Sequence, residues 1–276
     1  MNWSRTKTWL IVLFVGINLF LLFTLAKENI AQSTISEQMV TDTVAVLARN
    51  GITVDAQIIP RKMPALSAVE VLNTITDPQA VAESILGGKA TYDAETNQYL
   101  RSTSIVQFDG DNIGYININP TLNNVYTDIQ NATDYAKSFF TKAGFDMSKA
   151  ETQVLVQSGN KTELLFTQKL DSYPLLDSQM HITLTKQGIT DASGCWFYMS
   201  DDQTGSSGAN GRVKEITSVL IDFISDAYRA SSSNEITQIT LGYTTGDKRN
   251  YHKAVSAMPS WRISTSDGRE YYYDAN

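Results

Sequence analysis

Residues 9–26 read Trp-Leu-Ile-Val-Leu-Phe-Val-Gly-Ile-Asn-Leu-Phe-Leu-Leu-Phe-Thr-Leu-Ala, apolar almost throughout and without a charge. As a helix rising 1.5 Å per residue this run spans about 27 Å, close to the roughly 30 Å hydrocarbon core of a bilayer. Arg5 and Lys7 precede it, while Lys27 and Glu28 cancel behind it. That basic excess predicts residues 1–8 in the cytoplasm and the C-terminal remainder outside. Trp3 and Trp9 stand at the membrane flank, where indole rings are favoured. A cleaved signal peptide is the rival reading. Its apolar core is shorter, about 7–15 residues, and it ends on small residues. Only Thr24 and Ala26 offer those here, so length favours an uncleaved single-pass helix. Within the span, Asn18 bonds either its own backbone or a partner helix, and Gly16 permits close helix approach.

Behind the run the period changes repeatedly. Apolar residues at 35, 39, 40, 44, 46 and 47 have helical spacing and predict a helix over 35–50, stopped at Gly51. Residues 52–59 alternate like a strand, and Pro60, Arg61, Lys62 and Pro64 mark a loop. Asp77-Pro78 opens a helix through Leu86, since proline suits the first turn. Strands follow over 90–92, 98–100, 104–108 and 113–118, then a helix over 131–143 stopped at Gly144. Further strands cover 152–157, 163–170, 180–185 and 189–199. A polar loop over 200–212 precedes an amphipathic helix over 213–228. Strands over 236–243, 254–264 and 269–273 end the chain, with Ser266-Asp267-Gly268 as a turn.

Helices followed by antiparallel meanders predict an α+β protein in which helices pack on curved sheets. The expected organisation is a cytoplasmic N-terminus (1–8) and a transmembrane helix (9–26). A first extracytoplasmic α+β unit (27–130) and a second region of repeated helix-meander units (131–276) follow.

Net charge is -7 and the basic residues are scattered, so the basic stripe that phosphate contacts require is missing, which argues against a nucleic-acid partner. The single cysteine, Cys195, excludes an intramolecular disulfide and a cysteine-based zinc cluster. His181 and His252 have no Cys, His or Glu at ligand spacing and read as structural. The glycine-rich stretch 205–211 lacks the Gly-Lys-Ser/Thr ending of a phosphate loop and reads as a linker. Asp109-Gly110-Asp111-Asn112 and Asp201-Asp202 do not follow the calcium-loop order. Glu151, Glu163 and Glu215 fall on separate elements, so no carboxylate pair for glycoside hydrolysis is argued. No catalytic residue, cofactor, metal or small-molecule substrate is expected. Tyr271-Tyr272-Tyr273 reads as the packing of a final hairpin, with a contact surface as the alternative.

The N-terminal residues carry a further signal. Asn2-Trp3-Ser4-Arg5-Thr6-Lys7-Thr8, followed by an apolar run with Asn18-Leu19-Phe20-Leu21, resembles the start of the YycI family, which typically has an acidic residue where Asn2 stands. Residues 44–52, Tyr173-Pro174-Leu175 and Leu241-Gly242-Tyr243 resemble family segments in the same order, as do Pro259-Ser260-Trp261-Arg262-Ile263, Asp267-Gly268 and residues 271–275. The resemblance implies YycH-like α+β domains and no enzymatic activity. It implies a membrane-anchored accessory of the WalK sensor histidine kinase, acting with a YycH-like single-pass protein in cell-wall homeostasis. Contacts between transmembrane helices, at Gly16 and Asn18 here, and between extracytoplasmic domains would carry the signal. A different class also fits the helix-meander pattern, namely an exported PepSY-like or cystatin-like protease inhibitor or chaperone-like domain.

Overall fold

The computed structural model describes residues 7, 9–11, 13–21, 34–121, 128–170, 172–199, 212–230, 235–246 and 254–275. The chain forms two compact units. One comprises Met1–Leu66, Gly211–Ile239 and Ile263–Tyr271; the other comprises Ser67–Asn210, Thr240–Arg262 and Tyr272–Asn276.

In the first unit, helix α1 (Glu37–Arg49) starts where Ser36 accepts a hydrogen bond from the Met39 N–H at 3.2 Å, the arrangement that satisfies an orphan donor at a helix start. It buries Val40, Thr43 and Leu47 and ends before Gly51, whose φ of 75° suits glycine. The expected strand over 52–59 is shorter. Strand β1 (Thr53–Val54) stops because the Asp55 carboxylate caps Gln57 N–H at 2.8 Å and starts a 3-10 turn over Ala56–Ile58. The predicted amphipathic helix forms as α4 (Ile216–Ala230), three residues late; it packs on α1 and buries Val219, Leu220 and Phe223.

The second unit is dominated by antiparallel strands. Strand β2 (Val69–Asn73) was not expected. Helix α2 (Pro78–Leu86) begins at the Asp77 cap as predicted. Then come β3 (Thr91–Asp93), β4 (Gln98–Arg101), β5 (Ser104–Asp109) and β6 (Asn112–Asn117). Helix α3 (Ile129–Lys142) begins at Asp128, whose carboxylate accepts from Asn131 N–H at 2.8 Å. Strands β7 (Glu151–Ser158), β8 (Lys161–Leu170), β9 (Tyr173–Thr185), β10 (Gly188–Cys195) and β11 (Phe197–Met199) follow. The single strand expected over 189–199 is thus broken at Trp196, and the one expected over 180–185 begins seven residues earlier, at Tyr173. The spatial order is β3-β4-β5-β6-β10-β9-β8-β7, all antiparallel. Residues 162, 164, 166, 168 and 170 of β8 are buried in strict alternation, so the sheet has one core face. Ala136 and Phe140 of α3 and Ile85 of α2 cover that face.

The last strands are β12 (Glu235–Thr244), β13 (Val255–Thr265) and β14 (Glu270–Asp274). β1 runs parallel to β12 with Thr53 opposite Glu235. β2 lies between β11 and β13, both antiparallel to it. The predicted turn closes with Thr265 N–H donating to the Arg269 carbonyl at 3.0 Å.

The fold class is mixed α+β with sheet dominating. Among the described residues no helix is long and apolar enough to cross a membrane. Of the expected span, residues 9–11 and 13–21 are helical with exposed side chains, and residues 12 and 22–26 lie outside the described residues.

Candidate functional site

The N-terminal helix presents its apolar side chains to the surroundings; Trp9 is 74% exposed and Phe14 66%, which in water would be unfavourable. A side-chain carbon added at Gly16 would meet nothing within 4 Å. Asn18 donates its amide to the Phe14 carbonyl one turn back at 2.8 Å, so that donor is held within its own helix. Residues two apart do not share a helix face, so Gly16 and Asn18 point to different sides. Lys7 is described and exposed, whereas Trp3 and Arg5 lie outside the described residues.

The Tyr173-Pro174-Leu175 and Leu241-Gly242-Tyr243 motifs, far apart in sequence, meet in the second unit. Tyr243 on β12 pairs in parallel with Leu175 on β9. A side-chain carbon at Gly242 would come within 2.4 Å of the Pro174 carbonyl oxygen, so only glycine admits this approach. Two residues on, the Asp177 carboxylate accepts from both the N–H and the hydroxyl of Thr245, each at 2.8 Å.

A buried polar cluster adjoins this crossing. Gln168 sits where the register of β8 against β9 shifts. Its carboxamide donates to the Phe197 carbonyl at 2.6 Å and accepts from the Phe197 N–H at 3.0 Å. One side chain thus serves Phe197 as a neighbouring strand would. The Ser178 hydroxyl donates to the same Gln168 oxygen at 2.6 Å, and the Cys195 thiol donates to the Asp177 carbonyl at 3.0 Å. These groups are committed to one another and to main chain, which fixes shape rather than reactivity.

A cleft of about 240 Å³ beside the cluster is lined by Thr74, Asp146, Lys149, Lys169 and Tyr198 among others. Lys169 is paired with Glu151 at 2.8 Å. Ser148, hydrogen-bonded to the Asp146 carboxyl, holds it below the usual carboxylate range. A depressed carboxylate stabilises the fold above its unfolded value and loses that contribution as pH falls through the folded value. His181 stands 3.8 Å from both Glu163 and Asp191, on opposite ring nitrogens, so the carboxylates do not converge on one nitrogen. The ion pair with Lys161 keeps Glu163 below its ordinary range. Among the described residues no group of three His, Cys, Asp or Glu could hold a metal. His252 and residues 201–211 lie outside the described residues.

The C-terminal motif is mostly interior. Trp261 and Ile263 are fully buried, and Ala275 N–H donates to the Pro259 carbonyl at 2.9 Å. Tyr271 packs edge-on against Phe223 at 5.1 Å, while Tyr272 is 46% exposed, the alternation expected of a strand.

No curated protein sequence matches the chain. A crystal structure of an uncharacterised protein from Eubacterium rectale aligns over 76% of this chain and 84% of its own, with a TM-score of 0.50 and 13% identity. At that identity the likeness shows a shared fold and nothing finer. YycH from Bacillus subtilis aligns over 78% of this chain and 53% of its own, with a TM-score of 0.49 and 12% identity. The C-terminal domain of Bacillus megaterium YpeB aligns over 74% of this chain and 99% of its own, with a TM-score of 0.32 and 10% identity. The sequence profile of the family described as YycI protein matches residues 30–276. With most of its length matched in this way, the chain belongs to the YycI protein family.

Proposed function

We propose that this chain is a membrane-anchored, extracytoplasmic accessory protein that regulates a two-component sensor histidine kinase of cell-wall homeostasis. A YycH-like single-pass protein is its second partner. The observation that carries this reading is the family match over residues 30–276, set directly behind the uncharged apolar run 9–26. The basic flank at Arg5 and Lys7 orients the anchor with residues 27–276 outside. Catalysis has no part in the mechanism. Contacts to the kinase that differ between its active and inactive states shift that equilibrium, and only the difference in affinity counts. A preference of about 1–3 kcal/mol is enough for a change of roughly five- to 150-fold.

The membrane helix has two separable roles, tethering and contact. In cells carrying a reporter of kinase output, replacing residues 9–26 with an unrelated anchor is expected to remove most regulation while leaving the protein in the membrane. Exporting residues 27–276 without any anchor is expected to do the same. Full activity of the exported form would overturn the reading and favour a free inhibitor or chaperone-like domain. Full activity of the exchanged-anchor form alone would reduce the helix to a tether.

A further inference from the structure

Where α2 and α3 cover the antiparallel sheet of the second unit, a cavity of about 240 Å³ is left that the core does not fill. The β5–β6 ladder lines it with Ser104 and Asn117, which stand opposite each other. Tyr115, two residues from Asn117 along β6, shares their face of the sheet and lines the same space. α3 contributes Tyr135 and Phe139, whose spacing of four puts both rings on one side of the helix. The end of α2 reaches it at Leu86 and Gly87.

The polar groups in this cavity are short of partners. Tyr115 is 6% exposed, and its hydroxyl lies 3.5 Å from that of Ser104. Hydroxyl pairs bond at about 2.5–3.0 Å, so this contact leaves both groups under-bonded, a costly state for a buried hydroxyl. The Asn117 side-chain oxygen accepts from the Thr103 hydroxyl at 3.0 Å and from the Asn119 N–H at 3.1 Å. Among the described residues the Asn117 side-chain amide has no acceptor, and the half-buried Tyr135 hydroxyl has no partner. Burial, with Tyr115 adding to it, holds the Tyr135 hydroxyl above the usual phenol range, so it stays a neutral donor. Among the described residues no charged side chain lines the cavity. Arg101, close to Gly87, is committed to the Leu86 carbonyl at 2.5 Å.

These features select the chemistry of an occupant. An ion would lose its water in a neutral cavity with no opposite charge to receive it. A hydrocarbon would leave the Ser104, Tyr115 and Asn117 groups unpaired. A volume below the roughly 300 Å³ of drug-sized sites admits one ring rather than a chain. We propose that this cavity binds one ring of a neutral saccharide. The C–H face of the sugar packs on the aromatic side chains of α3, and its hydroxyls take up the hydrogen bonds that the strands leave open. A sugar oxygen seated between Ser104 and Tyr115 reaches both at ordinary length, which their own separation of 3.5 Å does not allow. The inference goes beyond the regulatory reading and does not depend on it.

The test is saturation-transfer NMR on the purified full-length protein, kept in a detergent without a sugar headgroup. The probes are glucose, N-acetylglucosamine and cellobiose. A ligand this small is expected to bind with a dissociation constant of about 1 mM, so each probe is presented at about ten times that. At least one is expected to receive saturation at its ring protons. Tyr135→Ala removes the signal and Tyr135→Phe keeps it. Asn117→Ala weakens binding about fivefold, the worth of one hydrogen bond. Tyr92→Ala removes a ring on β3 that is 48% exposed and leaves binding unchanged, which separates the cavity from surface stacking. The thermal midpoint of Asn117→Ala stays that of wild type, so this variant carries the test if Tyr135→Ala loosens α3. Silence from all three sugars would overturn the proposal and leave the cavity to water. A signal that Asn117→Ala leaves at full strength would overturn it as well. Saturation of p-cresol or tetraproline, with no sugar bound, would overturn it in favour of an apolar ring.

Discussion

Replacing Trp196 with alanine is expected to destabilise the second unit by about 3–5 kcal/mol, the range for removing a buried aromatic side chain. Trp196 is 1% exposed and belongs to the core formed by α2, α3 and the antiparallel sheet. Its indole N–H donates to the Asp146 carbonyl at 2.9 Å, and its own carbonyl accepts from the Thr74 hydroxyl at 2.6 Å. The substitution therefore opens a cavity and leaves the Asp146 carbonyl without its indole donor. Trp196→Phe keeps most of the apolar volume and loses mainly the hydrogen bond, so it should cost only about 1–2 kcal/mol. Denaturant titration of the full-length protein, followed by circular dichroism, checks both. Equal midpoints for the two variants would show that the hydrogen bond, not the packing, carries the effect.

Two residues earlier, Gly194→Ala is expected to be nearly as damaging, for a different reason. Gly194 has φ 138°, a conformation that side chains rarely adopt. A side-chain carbon there would lie 1.9 Å from the Gln179 carbonyl oxygen on β9. Backbone cannot give way as a flexible side chain does, and Gly194 lies within the β9–β10 ladder opposite Met180. Strain of about 1–3 kcal/mol from the dihedral adds to overpacking of similar size. The expected loss is at least about 3 kcal/mol, with the same titration as the measurement. A stability within about 0.5 kcal/mol of wild type would mean that β9 and β10 are further apart here.

These two positions explain why one expected strand is two. Residues 189–199 read as a continuous β stretch because nothing in Gly194-Cys195-Trp196 breaks the apolar pattern. The break depends on the dihedral at Gly194 and on Gln168 supplying Phe197 with both hydrogen bonds from another strand. The helices were legible because their apolar periods are local and Asp77-Pro78 marks its own first turn; Ser36 and Asp128, which cap the other two in the structure, were not read as starts. β2 was invisible because its partners β11 and β13 lie more than a hundred residues further along. Asp55 ended β1 early by capping a turn within what looked like an alternating strand.

The functional regions divide in the same way. The apolar run and its basic flank are written in consecutive residues. The meeting of Tyr173-Pro174-Leu175 with Leu241-Gly242-Tyr243 required the fold, although both motifs stood out as family-like. Tyr135 read only as part of a helix, because the groups beside it in the cavity come from β5 and β6.

The regulatory reading is tested most directly by what accompanies the intact protein out of the membrane. Mild crosslinking in cells, extraction and identification of the co-purifying proteins should recover a sensor histidine kinase and a second single-pass protein. Recovery of neither, from well-expressed protein with residues 9–26 intact, would contradict it.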